Sequence, residues 1–173
     1  DGSDAIMLSG ESAIGKYPVE TVERMHHIAT RLEKEIKREA FIIRDHSDAG
    51  SIPINIATSV AYAVLQGQAD LVITPTITGN TARLLSQNRP NTVILALTKD
   101  PQIARSLMLS NGVYPMVYDI GTDTEKLIRE SVKMVKEKGF IKPGGRVIIT
   151  GGFPLGSTTN SLRIIDVNEE LTS

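Results

Sequence analysis

From residue 53 onward, short runs of apolar residues alternate with longer stretches in which apolar residues recur every three or four positions. The short runs predict β-strands, and the longer stretches predict helices of about ten to seventeen residues. The predicted strands are Leu71–Thr74, Val93–Leu97, Val113–Val117, Arg146–Thr150 and Leu162–Val167. This alternation predicts an α/β domain in three layers, in which helices cover both faces of a mostly parallel, five-stranded sheet.

Local signals place the helices between these strands. Pro53 and Asp100-Pro101 mark helix starts, and another helix is predicted over Gly79–Gln87. The capping box Thr122–Glu125 opens the last helix, and Gly139 ends it. The last two strands follow each other too closely for a helical crossover, so the final strand is predicted to be an antiparallel edge strand.

The first part of the chain has a different organisation. Ala5–Leu8 predicts a short strand, and a polar, glycine-containing loop separates it from a long helix that begins near Pro18. That helix has an apolar stripe from Val19 to Ile36 and charged residues on its other faces. Since no earlier element is present to pair with Ala5–Leu8, we interpret the start of the chain as the cut end of a larger fold.

A polar stretch at residues 46–51, which contains Gly50 and Ser51, interrupts the helical pattern. We therefore predict two domains. Residues 1–45 form the end of a larger unit and its connecting helix, and residues 46–173 form the α/β domain.

The composition limits the classes of function. The 173 residues include 19 Lys or Arg and 20 Asp or Glu, so the net charge of −1 provides no basic field that attracts nucleic acid. Cysteine is absent and histidine occurs three times, which leaves no disulfide framework and no thiolate metal site. No apolar run approaches the roughly 20 residues of a membrane span, and the first residues do not resemble a signal peptide. These features predict a soluble, cytoplasmic protein.

Two loops at the carboxyl ends of predicted strands are rich in hydroxyl groups and glycine. The first loop, residues 74–81, carries four threonines and places Gly79 at a helix start, where free N–H groups favour a phosphate. The second loop, residues 151–160, is long for a connection between adjacent strands and contains Gly156–Thr159. Ligands of open parallel sheets bind at this edge, so the two loops together predict an anion pocket. No Lys follows Gly79, so the first loop is not a Walker loop, and a Thr-capped helix start is the alternative interpretation.

Other polar residues carry weaker signals. Ser9-Gly10-Glu11 follows the first predicted strand, and a carboxylate in such a loop is usually just solvated. At the carboxyl end of a barrel strand the same position would hold a catalytic group. His26 and His27 are neighbours on a predicted helix and point to different faces, so they do not form a joint metal site.

Several segments together show a family resemblance. Residues 1–20, which read DGSDAIMLSGESAIGKYPVE, resemble the pyruvate kinase segment that forms the eighth barrel strand and the turn into the last barrel helix. Further segments support the resemblance independently. They are Thr78–Arg83, Arg89-Pro90, Gly112–Pro115, Lys142–Gly145 and Ser157–Asn160. The resemblance extends over essentially the whole chain, which is identified by it as the C-terminal part of a pyruvate kinase.

The resemblance implies that the parent enzyme transfers a phosphoryl group from phosphoenolpyruvate to ADP in glycolysis, with Mg²⁺ and usually K⁺. Ser9 and Glu11 match family positions at the mouth of the active site, and Ser12 stands where Thr is commoner. The family's metal ligands, its catalytic Lys and its phosphate-binding Arg belong to earlier barrel segments that are not in this chain. We therefore expect no metal site and no kinase activity in this chain alone.

The resemblance also implies an allosteric site for a sugar phosphate or a nucleoside monophosphate, built from the two loops. Its expected residues are Thr76, Thr78, Gly79, Asn80, Thr81, Gly156, Ser157, Thr158 and Thr159. Forms that respond to fructose 1,6-bisphosphate often carry an Arg where this chain has Leu127, which leaves the identity of the effector open. The resemblance further implies a homo-oligomer, a tetramer in the family, with a subunit contact through this domain.

Two other classes of function are alternatives. One is a free-standing α/β module that binds a phosphorylated ligand. Such a module would offer no partner strands to the predicted strand Ala5–Leu8, which argues against it. The other is a dinucleotide-dependent oxidoreductase, which the absence of a G-x-G-x-x-G after the first predicted strand disfavours.

Overall fold

The computed structural model describes residues 3–35 and 50–168. The helices in these ranges are α1 (Gly10–Ala13), α2 (Pro18–Glu35), α3 (Ile52–Leu65), α4 (Asn80–Gln87), α5 (Pro101–Leu107) and α6 (Thr124–Glu137). The strands are β1 (Leu71–Pro75), β2 (Val93–Thr98), β3 (Val113–Val117), β4 (Arg146–Gly151) and β5 (Ser161–Asp166). They form one sheet in the order β3-β2-β1-β4-β5, in which only β4 and β5 are antiparallel. The predicted fold class, including the antiparallel edge strand, is confirmed.

The central strand β1 shows why helices cover both faces of the sheet. All five of its residues are buried. Leu71 and Ile73 belong to a core cluster with residues of α6, whereas Val72 belongs to a second cluster with residues of α3 and α4. Because neighbouring residues of a strand point to opposite faces, an uninterrupted apolar run is what a strand between two helical layers requires.

Strand β1 is also the point at which the strand order reverses. The chain passes from β1 through β2 to β3 on one side, and then returns to β4 on the other side of β1. Leu71 of β1 is level with Val93 of β2 and with Val147 of β4. The loops that leave β1 and β4 therefore lie beside the crevice where open α/β sheets bind ligands.

The N-terminal segment differs from the sequence prediction in two places. Residues 5–8 do not form the predicted strand, because no described strand pairs with them, and a strand needs a partner for its N–H and C=O groups. The predicted loop after them contains the helical turn α1, in which the N–H of Ala13 donates to the carbonyl oxygen of Ser9 at 3.0 Å. Helix α2 begins at Pro18, as predicted.

An ion pair joins the N-terminal segment to the α/β domain. The carboxylate of Asp4 accepts from Nη2 of Arg89 at 3.0 Å and from the backbone N–H of Asn111 at 3.4 Å. Arg89 follows α4, is buried, and has a positive φ of 45°. The contact therefore holds the C-terminal end of α4 against the segment that precedes α1.

The cap of α6 lies one residue after the predicted one. Asp123, rather than Thr122, is the N-cap, and its carboxylate accepts from the N–H of Lys126 at 3.0 Å. Glu125, which the predicted capping box would use, instead contacts Arg163 of β5 at 3.0 Å. Asp is on average a better N-cap than Thr, which agrees with the position of Asp123.

Two predictions lie outside the described residues. These are the domain boundary between residues 45 and 46 and the end of the apolar stripe at Ile36. In the described ranges, no helix is both long and apolar enough to cross a membrane.

Candidate phosphate-binding site

The first loop leaves β1 and enters α4 through a tight turn. The hydroxyl of the buried Thr76 accepts a hydrogen bond from the N–H of Gly79 at 2.9 Å. Gly79 is the N-cap of α4 and has a φ of 84°, a conformation that residues with a side chain rarely adopt. The turn places the first-turn N–H groups of α4, which have no helical partners, at the carboxyl edge of the sheet.

Arg83, one turn into α4, braces the first loop. Its guanidinium donates to the carbonyl oxygen of Thr78 at 2.9 Å and to Oγ of Ser106 in α5 at 2.9 Å. These two bonds hold the guanidinium against the loop and α5. The charged group of Arg83 therefore stabilises the position of the loop. Arg83 is not among the described residues that line the cavity between the loops.

The second loop is closed by the side chain of Asn160. Its Nδ2 donates to the carbonyl oxygen of Phe153 at 2.8 Å, and its Oδ1 accepts from the N–H of the same residue at 3.0 Å. At the start of the loop, a Cβ atom on Gly152 would overlap the carbonyl oxygen of Ser157. Only glycine therefore permits this close return of the backbone.

The two loops meet at a pair of buried threonines. Oγ1 of Thr81 and Oγ1 of Thr159 are 2.7 Å apart, which is a hydrogen bond between the start of α4 and the second loop. Between the loops lies a cavity of about 350 Å³. Its lining residues are Pro53, Pro75, Thr76, Ile77, Thr78, Asn80, Thr81, Leu84, Gly152, Leu155, Gly156, Ser157, Thr158 and Thr159.

The structure brings most of the predicted effector residues together at this cavity. The residues that line it are Thr76, Thr78, Asn80, Thr81, Gly156, Ser157, Thr158 and Thr159. Gly79 is not on the wall, and its contribution is the turn that begins α4. Ser9 and Glu11 lie in the N-terminal segment, where the Glu11 carboxylate accepts from the N–H of Ser9 at 3.2 Å, and neither lines the cavity.

Sequence reasoning missed the apolar part of the wall. Pro53 comes from the start of α3 and Leu84 from α4, and both have the spacing of ordinary core residues. Ile77 and Leu155 lie in the two loops, but their side chains carry no group that donates to a phosphate. The sequence could not show that Pro53 and Leu84 border one cavity, because α3 packs beside α4 only in the folded domain.

The electrostatics of the cavity are simple. No lining residue in the described part of the chain carries a formal charge. Elsewhere, burial and the nearby Glu130 raise the pKa of Tyr118 above its ordinary value, but Tyr118 is not on the wall. Within residues 3–35 and 50–168, no three His, Asp or Glu side chains are grouped so that they would hold a metal ion. What the arrangement offers is neutral recognition of an anion by N–H and O–H donors.

A comparison with known families decides the assignment. Residues 55–165 match the family model described as pyruvate kinase, alpha/beta domain. The chain belongs to the pyruvate kinase family. The matched range begins in α3 and ends in β5, so this pyruvate kinase domain contains both loops and nearly all of the cavity.

Individual pyruvate kinases are similar over nearly the whole chain. That of Clostridium acetobutylicum is 40% identical over 169 residues, which are 95% of this chain and 35% of the relative. That of Geobacillus stearothermophilus is 35% identical over 174 residues, 99% of this chain and 30% of the relative. A crystal structure of Cryptosporidium parvum pyruvate kinase matches with a TM-score of 0.78 and 32% identity, over 96% of this chain and 33% of that one. The chain thus spans about a third of the length of these relatives.

Proposed function

We propose that this pyruvate kinase domain binds a phosphorylated small molecule, a sugar phosphate or a nucleoside monophosphate, between the first and second loops. The observation that carries the proposal is the convergence of both loops on one cavity of about 350 Å³. The hydrogen bond of 2.7 Å between Thr81 and Thr159 joins the loops at that point. Either loop alone is an ordinary connection, but together they surround a space of the size that small ligands occupy.

The donors at the cavity suit a phosphate group. The first-turn N–H groups of α4 lie at the positive end of the helix dipole. Hydroxyl groups of the exposed residues Thr78, Ser157 and Thr158 add further donors. In the Thr81–Thr159 pair, one hydroxyl donates to the other, so the accepting hydroxyl keeps its own hydrogen for a ligand.

Calorimetric titration of this chain with fructose 6-phosphate tests the proposal. We expect saturable binding with one ligand per chain, because the cavity offers one cluster of phosphate donors. Unphosphorylated fructose is the matched control and should not bind, since the phosphate supplies the recognised charge. If fructose 6-phosphate, glucose 6-phosphate, ribose 5-phosphate and AMP all fail to bind, the proposal is wrong.

We also propose that the parent protein is a cytoplasmic pyruvate kinase that transfers a phosphoryl group from phosphoenolpyruvate to ADP. Similarity to pyruvate kinases over 95% or more of this chain supports the proposal. Ser9 and Glu11 would then lie at the rim of the catalytic site, with Mg²⁺ and K⁺ bound by segments outside this chain. The free edge of β5, which pairs with β4 alone among the described strands, supports a homo-oligomeric contact.

This chain alone is expected to form no ATP from phosphoenolpyruvate and ADP. Phosphoryl transfer depends on cations that neutralise the developing charge, and the described residues offer no group of metal ligands. A luciferase assay for ATP, with Mg²⁺ and K⁺ added, makes the measurement. ATP formation above the rate of a heat-denatured sample would contradict the expectation.

A further inference from the structure

We infer that Arg89 is a positioning residue, which makes the segment that carries Ser9 and Glu11 respond to a ligand in the cavity at the other end of α4. This inference rests on the proposed function of that cavity. An ion pair joins Nη2 of Arg89 to the carboxylate of Asp4, and the two atoms are 3.0 Å apart. Arg89 follows α4, whereas Asp4 lies in the N-terminal segment, five residues before Ser9.

The backbone of Arg89 has a conformation that residues with a side chain rarely adopt. Its φ is 45°, and its N–H donates to the carbonyl oxygen of Ser86 at 2.9 Å, so Arg89 ends α4 as a left-handed cap. Glycine is the usual residue at such a position, because it adopts a positive φ without strain. Arginine there carries a backbone cost that its surroundings must offset. Its side chain is only 10% exposed, and the ion pair with Asp4 is a contact that offsets this cost.

Neighbouring bonds fasten this end of α4 to the same carboxylate. Oγ of the buried Ser86 donates to the carbonyl oxygen of Asn111 at 2.7 Å. The N–H of Asn111 in turn donates to the carboxylate of Asp4 at 3.4 Å. Both contacts of Asp4 with the α/β domain are therefore tied to the last turn of α4. A movement of that turn displaces the point at which the N-terminal segment is attached.

Helix α4 connects this point to the cavity. Its eight residues span about 12 Å, with Asn80 and Thr81 at the cavity and Arg89 just beyond the other end. Ala82 and Leu85 are buried in the core, so the helix moves as one packed body. A phosphate that draws the first-turn N–H groups towards itself therefore displaces both ends of the helix.

The N-terminal segment receives this displacement at Asp4. Ser9, at the start of α1, and Glu11, within α1, follow Asp4 closely along the chain. These are the two residues that the proposed function places at the rim of the catalytic site. A change at the ion pair therefore alters the position of the rim, and Arg89 acts on the rim through Asp4.

Backbone amide spectra of the ¹⁵N-labelled chain test this transmission during titration with fructose 6-phosphate. In the unmodified chain, we expect the signals of Ile6–Ser9 to shift with the same dissociation constant as those of Asn80 and Thr81. In Asp4→Ala the signals of Asn80 and Thr81 should still shift, whereas those of Ile6–Ser9 should stay in place. Arg89→Gly removes the same ion pair from the other side, and glycine suits the positive φ at that position, so this variant should give the same result. A merely structural role of the pair would not separate the two sets of signals.

Glu125→Ala is the matched control, because it breaks an ion pair of the same length elsewhere in the domain. Glu125 and Arg163 are also 3.0 Å apart. The side chain of Glu125 is 63% exposed and that of Asp4 is 55% exposed, so the two substitutions remove carboxylates in similar surroundings. The control should keep the shifts at the cavity and those of Ile6–Ser9.

The other outcomes distinguish this inference from the proposed function. If the signals of Asn80 and Thr81 shift in the unmodified chain while those of Ile6–Ser9 stay in place, the transmission is wrong and the proposed phosphate site stands. The transmission is also wrong if Asp4→Ala or Arg89→Gly keeps the shifts of Ile6–Ser9, or if Glu125→Ala loses them. If no amide signal at the cavity shifts, the proposed function and this inference fail together.

Discussion

Replacing Gly152 by alanine is expected to abolish binding of fructose 6-phosphate to this chain. The new Cβ atom would overlap the carbonyl oxygen of Ser157, and a backbone atom cannot move aside as the end of a flexible side chain can. The second loop must therefore open, which separates Thr159 from Thr81 and dismantles one wall of the cavity. We also expect the free energy of unfolding to fall by about 1–3 kcal/mol, the usual cost of forcing an extra methyl group into a packed site.

Calorimetry measures the loss of binding, and urea denaturation measures the change in the free energy of unfolding. Gly50→Ala is the matched control, because no atom lies within 4 Å of the position that its Cβ would occupy. The control should bind the ligand as the unmodified chain does. Unchanged affinity and unchanged stability in Gly152→Ala would show that the second loop does not have the described geometry.

Replacing Thr78 by glutamate is expected to weaken binding of fructose 6-phosphate by about a hundredfold or more. Thr78 is exposed and lines the cavity, so the new carboxylate lies beside the position assigned to the phosphate. Two negative charges a few ångströms apart near a protein surface repel each other by several kcal/mol. Because the side chain is exposed, the fold should keep its stability.

Gln87→Glu is the matched control for this charge. Gln87 is exposed at the other end of α4, and it does not line the cavity. The control should retain most of the affinity, whereas Thr78→Glu should lose it. Equal affinities of the two variants would show that Thr78 does not lie beside the bound phosphate.

Much of the fold was predictable because each strand carries its own signal. The central strands are buried on both faces, and an apolar run such as Leu71–Ile73 predicts a buried strand wherever it lies in a chain. Ala5–Leu8 shows the limit of this reasoning. Its composition suits a strand, but a strand also needs a partner, and none of the described strands pairs with it. Pairing is a property of the assembled fold, so the local pattern could not supply it.

The polar half of the candidate site was predictable, and the apolar half was not. Thr78 and Thr159 follow strands whose carboxyl ends had to meet at one edge, so their proximity followed from the topology. Leu84 and Pro53 lie on helices, where an apolar residue is expected in the core whether or not it also borders a cavity. The role of Asn160 was also missed, because its two bonds to Phe153 depend on the path of the closed loop.

The most direct test of the account is the backbone amide spectrum of the ¹⁵N-labelled chain during titration with fructose 6-phosphate. If both loops hold one phosphate, the amide signals of Asn80 and Thr81 and those of Ser157–Thr159 shift together, with a single dissociation constant. Signals of the distant edge strand β3 should stay in place. Shifts confined to one loop, or shifts centred elsewhere in the domain, would contradict the account.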